Sequence, residues 1–213
     1  HYGNYLIFDG RTESVEFDNQ IVVANAQDYT VATHVRALHE DFTIMVSGSS
    51  TKNRCYIIPD LNQVWIRENS NYLIFDFPSI VKDTWYYVVW GRGSNFTRVW
   101  INGVESTSGA IAMSGPGATN FERLGVHAFT FIFDPLHQDN FGIKVGADPA
   151  SHVAALTADP TTFDTEMSGS DVMFRFNELP ASLEAIDESA NNNNGTLSGF
   201  LANADPANRQ PHV

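Results

Sequence analysis

The sequence is short of basic residues, of cysteine and of long apolar runs. Lys and Arg together number 12 against 25 Asp and Glu, which gives a net charge of −13 at pH 7. A body this acidic repels phosphate backbones, so no nucleic-acid partner is expected, and docking on anionic lipid is disfavoured. The single cysteine, Cys55, excludes an internal disulfide. Within Arg54-Cys55-Tyr56-Ile57-Ile58 it reads as a small buried hydrophobe rather than a nucleophile. No stretch approaches the roughly 18–20 apolar residues needed to cross a bilayer, so no membrane insertion is expected. The histidines never stand at a metal-binding spacing such as His-x3-His, and no Gly-x-Ser-x-Gly elbow occurs. The chain opens at His1 without a signal peptide, which points to a processed product or a segment of something longer.

What is present is an aromatic-rich globular composition: 43% hydrophobic residues, with 15 Phe, 7 Tyr and 4 Trp. A chain of 213 residues can form one β-sandwich. Strand-like segments recur with turn signals between them. Tyr5-Leu6-Ile7-Phe8 ends at Asp9-Gly10. Ser14 to Phe17, Ile21 to Val23, Phe42 to Val46, Cys55 to Ile58, Val64 to Arg67 and Tyr72 to Phe77 continue the series. In Tyr29 to Arg36, Tyr29, Val31 and Val35 fall on one face and Thr30, His34 and Arg36 on the other, the pattern of a half-buried strand. Trp85-Tyr86-Tyr87-Val88-Val89-Trp90 is apolar on both faces, so both should be covered. Gly91 to Asn95 then turns the chain, and Phe96 to Ile101 returns with Val99 and Ile101 inward and Arg98 and Trp100 outward. Burial of Trp85, Trp90, Val99 and Ile101, at about 1.5–3 kcal/mol each, makes this hairpin a centre of the core. Asn102-Gly103 is a hairpin-type turn. Residues 106–120 read as a loop. Leu124 to Val126, Phe129 to Phe133 and Phe141 to Val145 add strands. One short helix is expected, capped by Asp148 with Pro149 in its first turn, and ending near Asp159-Pro160.

The order of these pieces resembles the laminin-G-like members of the concanavalin A-like superfamily. The matching features are Phe8-Asp9-Gly10, Tyr29-Thr30, Thr84-Trp85-Tyr86-Tyr87-Val88, Arg98-Val99-Trp100-Ile101-Asn102-Gly103, and Leu124-Gly125 followed by a helix. The resemblance implies an all-β fold: a concanavalin A-like antiparallel β-sandwich jelly roll with one short helix. It covers roughly residues 3–160, and the sandwich is assigned to 1–170. Residues 171–213 carry Phe174-Arg175-Phe176-Asn177-Glu178 and an Asn-rich loop, a segment that in arrays of such domains stands before the Phe-Asp-Gly strand. This C-terminal piece either completes the sandwich or links to a neighbouring repeat. The arrangement is similar to that of phage appendage and tail fibre proteins and modular bacterial surface proteins, which implies an extracellular or virion-surface location and neighbouring domains or copies as partners.

Relatives in this superfamily include glycoside hydrolases and polysaccharide lyases, which makes catalysis the alternative to binding. Glycoside hydrolysis needs two carboxylates about 5–9.5 Å apart. Glu13 and Glu16 are odd-spaced, and Asp164 and Glu166 lie outside any strand pattern. A lyase-type pairing of His34 with Arg36 is equally explained by a surface strand. The expectation is therefore a non-enzyme. Glycan binding, to a cell-surface polysaccharide, is the leading reading, because exposed aromatics can stack on sugar rings while Asn, Asp and Arg supply hydrogen bonds. The candidates are Trp100, Arg98, Trp65 and Tyr72, with Tyr56 beside them. Trp100 ranks first because its neighbours already supply the core side of the strand, unless a crossing loop covers it. A structural or decoration subunit of a viral or surface assembly is the alternative, and a polysaccharide lyase or glycoside hydrolase the second. For a cofactor, calcium is the candidate, held by Asp134 and Asp139 at the ends of an apparent loop. Asp187, Ser189, Asn191 and Asn193 also alternate oxygen-bearing side chains, a pattern that turns produce as well.

Overall fold

The computed structural model describes residues 4–8, 13–40, 43–48, 54–68, 71–112, 117–125, 135–153, 162–176, 184–198 and 209–211. The strands in chain order begin with Asn4–Phe8 (β1), Ser14–Val23 (β2), Tyr29–Ala37 (β3), Thr43–Ser47 (β4) and Arg54–Ile58 (β5). Gln63–Glu68 (β6), Asn71–Asp76 (β7), Trp85–Gly93 (β8), Phe96–Ile101 (β9), Val104–Glu105 (β10) and Ile111–Ala112 (β11) follow. The series ends with Thr119–Leu124 (β12), Leu136–Val145 (β13), Val172–Phe174 (β14), Glu184–Ala185 (β15), Gly195–Ser198 (β16) and Arg209–Pro211 (β17). The first sheet runs β10-β9-β8-β3-β13-β1-β17, with β11 also on β9 and β14 also on β13. The second runs β15-β16-β2-β12-β4-β5-β6-β7. All pairings are antiparallel, and the whole is a jelly-roll sandwich.

The core lies between the sheets and is set by period-2 alternation. Tyr29, Val31 and Val35 of β3 face it with Val88 and Trp90 of β8 and Val99 and Ile101 of β9. The second sheet contributes Val15, Phe17, Ile57, Val64, Ile66 and Phe75, together with Cys55, which is fully buried as expected. Trp85 departs from the expectation. It is five residues from Trp90 and therefore on the opposite face of β8, where it is half-buried against His34 and Tyr5. The outward residues Tyr87 and Val89 form a second cluster with Ala32, Trp100, Val153, Phe163 and Met167. Both faces of β8 are thus covered: the inner by the second sheet, the outer by Val153, Phe163 and Met167.

The turn after β8 lies later than the glycines suggest. β8 runs on through Gly91 and Arg92 to Gly93, and the chain reverses at Ser94 and Asn95, with φ of 53° and 67°. Gly91 answers a close approach: a Cβ there would stand 1.9 Å from the carbonyl oxygen of Tyr29. Asn102 and Gly103 do form the next turn, with φ of 48° and 80°. Residues 106–120 are not all loop, since Ile111–Ala112 pairs with Thr97 and Phe96. Asp148 caps its turn as expected, its carboxylate accepting from the Ala150 N–H at 3.0 Å. The element it opens is a 3-10 turn, Pro149–Ser151; a short α-helix follows at Phe163–Glu166, and the expected helix end at Asp159-Pro160 lies outside the described residues. The strand expected at Phe129 to Phe133 also lies outside them.

Residues 172–198 add strands to both sheets: β14 pairs with β13, and β16 with β2. β17 lies against β1. The Asn-rich tract is organised around Asp187. Its carboxylate accepts from the N–H groups of Met173, Ser189 and Asn193 at 2.8, 2.9 and 2.7 Å, and from the Ser189 hydroxyl at 2.6 Å. The side-chain oxygens of Asp187, Ser189 and Asn193 in this tract thus accept from protein donors, as turn-forming residues do.

Candidate functional site

The four candidates for glycan contact divide between the two sheets. Trp100 and Arg98 project from β9 on the outer face of the first sheet, and Trp65 and Tyr72 from β6 and β7 on the outer face of the second. Sheets in a sandwich stand about 10 Å apart, with outer faces directed oppositely. One small ligand cannot meet all four. Trp100 also fails as a stacking platform, because it is only 6% exposed and lies under Val153, Phe163 and Met167. The crossing segment covers it. Arg98 faces Glu105, with Nε 3.8 Å from a carboxylate oxygen.

Trp65 and Tyr72 do meet. β5, β6 and β7 form a meander joined by short connections, so register carries every second residue to one face. Arg54, Tyr56 and Ile58 of β5 stand opposite Arg67, Trp65 and Gln63 of β6. Arg67, Trp65 and Gln63 in turn stand opposite Tyr72, Ile74 and Asp76 of β7. The alternate residues Cys55, Ile57, Val64, Ile66, Leu73 and Phe75 go into the core, which fixes the register. The Trp65 and Tyr72 rings meet edge to face, with centroids 5.6 Å apart. Tyr72 is 46% exposed and Ile74 38%.

Polar contacts hold these rings in place. The Trp65 indole N–H donates to Gln63 Oε1 at 2.7 Å, and the Gln63 amide donates to Asp76 at 2.7 Å. The Arg67 guanidinium lies over the Tyr72 ring, 4.9 Å from its centroid. Arg54 Nη1 donates to the Tyr56 hydroxyl at 2.8 Å. Burial raises the Tyr56 phenol above its ordinary range, and the Arg54 hydrogen bond opposes that rise. The outcome is an amphipathic platform: the Trp65 and Tyr72 rings and Ile74 for the apolar side of a sugar, with the Arg67 guanidinium and the Tyr72 hydroxyl at its edge for oxygens. Tyr56 and Arg54, each 6% exposed, are buried beside it.

The calcium candidates fare differently. Asp134 lies outside the described residues. Asp139 belongs to β13, which begins at Leu136, so most of the expected loop is strand. It sits where the register with β3 shifts, beside Asn140 with φ of 47°. Asp139 is 2% exposed, and burial pushes its carboxyl up to about 7, against the backbone N–H of Asn140. Burial thus favours the neutral acid in the ion-free protein. Among the described residues no three His, Cys, Asp or Glu converge as metal ligands.

A second aromatic group, not anticipated from the sequence, lies on the outer face of the first sheet. His34 lies 4.6 Å from Trp85 and 5.5 Å from Tyr87 by ring centroids, and Tyr5 lies 4.9 Å from His137. The acids and bases considered for catalysis are engaged. Arg36 binds Asp83, with an N–O distance of 2.6 Å. Asp164 pairs with Arg175, and Glu166 meets His152 at 3.1 Å.

No protein-family model and no curated protein sequence matches the chain. Among solved structures, it is similar to a heptameric SAP-like pentraxin from Limulus polyphemus, with a TM-score of 0.58 and 15% identity over 72% of this chain and 82% of that one. It is also similar to a Bacteroides ovatus protein provisionally named as carbohydrate binding. There the TM-score is 0.57 and the identity 13%, over 89% of this chain and 59% of the other. At these identities the likeness establishes a shared jelly-roll sandwich.

Proposed function

We propose that the chain is a non-catalytic glycan-recognition module of the laminin-G-like kind, part of a larger extracellular or virion appendage protein, and that it holds sugar on the outer face of β5–β7. One observation carries the reading: the Trp65–Tyr72 pair, ordered by Gln63 and Arg67 on one sheet face. Rings held in advance lose little freedom on binding, so contact area converts efficiently to affinity. The Bacteroides ovatus neighbour, named for carbohydrate binding, supports the class of ligand. The absence of catalysis is part of the proposal, supported by the engagement of Asp164, Glu166 and Arg36 in ion pairs.

A glycan array followed by calorimetry tests it, with calcium and after chelation. Glycan binding that falls about tenfold or more in Trp65→Ala and Tyr72→Ala is the expected result, a loss of about 1.4 kcal/mol or more. Binding untouched by both substitutions, or no glycan bound at all, would overturn it. Release of reducing ends or unsaturated uronates from alginate, laminarin or agar would refute the non-catalytic part.

A further inference from the structure

Two arginines on this face lack the carboxylate partner that five arginines elsewhere among the described residues have. Arg36, Arg92, Arg98, Arg123 and Arg175 each face an Asp or Glu. Arg54 and Arg67 do not, although the chain has about twice as many acids as bases. They are directly cross-strand partners on β5 and β6, where like charges repel. Arg54 is 6% exposed, and its Nε and Nη2 have no hydrogen-bond partner; neither has Arg67 Nε. Buried guanidinium donors left open are costly unless something fills them. Along β6 and β7 the acid on this face is Asp76, four residues from the Arg67–Tyr72 pair, about 13 Å, and taken by Gln63. Across β4 and β12, Glu16 is paired with Arg123. The connecting segments 49–53 and 69–70 contain no acidic residue, and Lys52 adds a cation.

We propose that Arg54 and Arg67 form the subsite for an anionic substituent, a carboxylate or sulfate, of the bound sugar, whose ring rests on Trp65 and Tyr72; this rests on the glycan-binding reading above. Planar guanidinium forks suit both oxyanions. The charge of −13 opposes a dense polyanion, so a short oligosaccharide with isolated acidic groups is the fitting ligand.

Calorimetry with oligogalacturonate, sulfated galacto-oligosaccharide and the neutral galacto-oligosaccharide of the same length tests this. An acidic oligosaccharide should bind about tenfold or more tightly than the neutral one. The arm that binds, uronate or sulfate, identifies the anion. Arg67→Gln, at a partly buried position, should bring the ratio of acidic to neutral affinity to about one, whatever it changes in neutral binding through its contact with Tyr72, and Arg54→Gln should do the same if circular dichroism shows it folded. Trp65→Ala should weaken both kinds of ligand. Equal binding of acidic and neutral sugars, or a preference that survives Arg67→Gln, overturns the anion subsite and leaves the glycan reading standing. No binding of any sugar overturns both.

Discussion

Removing Arg92 should destabilise the protein more than removing any other arginine. Its side chain is fully buried and Glu68's is 2% exposed; the two lie 3.6 Å apart between the sheets. The Tyr29 hydroxyl donates to Glu68, and Arg92 donates through Nε to Gln27 O at 2.9 Å and through Nη2 to Ala24 O at 3.2 Å. Burial raises the Glu68 carboxyl, and Tyr29 and Arg92 oppose the rise. Arg92→Met leaves that carboxylate with Tyr29 alone and two backbone acceptors unmet. Breaking a buried pair from one side costs about 3–5 kcal/mol. Glu68→Gln should cost a similar amount by stranding Arg92. The double variant Glu68→Gln/Arg92→Met should cost less than the sum, by about 2–3 kcal/mol, since neither charge is then left buried alone. Urea unfolding with a common slope measures this. The sign with pH is fixed: an acid raised in the folded state loses stability as pH climbs from its ordinary value through the folded one. Arg92→Met should therefore recover towards the parent on acidification. A cost below about 1 kcal/mol, or additive single variants, would refute the pairing as the source of stability.

Asp139, raised to about 7, follows the same sign: Asp139→Asn should stabilise the protein at pH 8 relative to the parent and change little near pH 4, as read from thermal midpoints. Asp187→Ala removes an acceptor of four hydrogen bonds, so a loss of about 2–4 kcal/mol is expected, with faster amide exchange confined to residues around 187–195. Gly91→Ala drives a methyl group onto the Tyr29 carbonyl and should leave little soluble folded protein on expression.

Much of the fold was legible because β-strands declare their faces. Tyr29, Val31 and Val35 enter the core as the alternation indicates, although Thr30 and Ala32 on the opposite face are buried as well, so the strand is covered on both sides rather than half-buried. Val99 and Ile101 enter the core while Trp100 turns away. What misled was punctuation. Gly91 and Gly93 suggest a turn, yet Gly91 exists for close backbone packing and the real turn uses Ser94 and Asn95. Trp85 and Trp90 look like a pair, but an odd spacing separates them to opposite faces. Leu136 to Asn140 is polar enough to read as loop, because β13 carries Gln138, Asp139 and Asn140 buried within its pairing. The aromatic platform was half visible: Tyr56, Trp65 and Tyr72 stand out as residues. Arg54 and Arg67 join them only once the four-residue connection 59–62 sets Ile58 against Gln63 and hence Arg54 against Arg67.

The two outer faces differ in how their aromatic residues are used, and that difference favours one of them for recognition. On the first sheet, Val153, Phe163 and Met167 pack on β8 and β9 and bury Trp100, Tyr87 and Val89. Arg175 and His152 hold these covering residues by pairing with Asp164 and Glu166. On the second sheet, the described residues on β6 and β7 present Trp65, Tyr72 and Ile74 at least partly to solvent. Packing of Ile57, Val64, Ile66 and Phe75 explains why these strands exist, but not why their outer positions carry a tryptophan, a tyrosine and two unpaired arginines. A strand face needs only polar residues to remain soluble. Aromatics held edge to face beside guanidinium donors without partners exceed that requirement, and the proposed recognition of a ligand with an apolar face and an anionic edge would account for the excess.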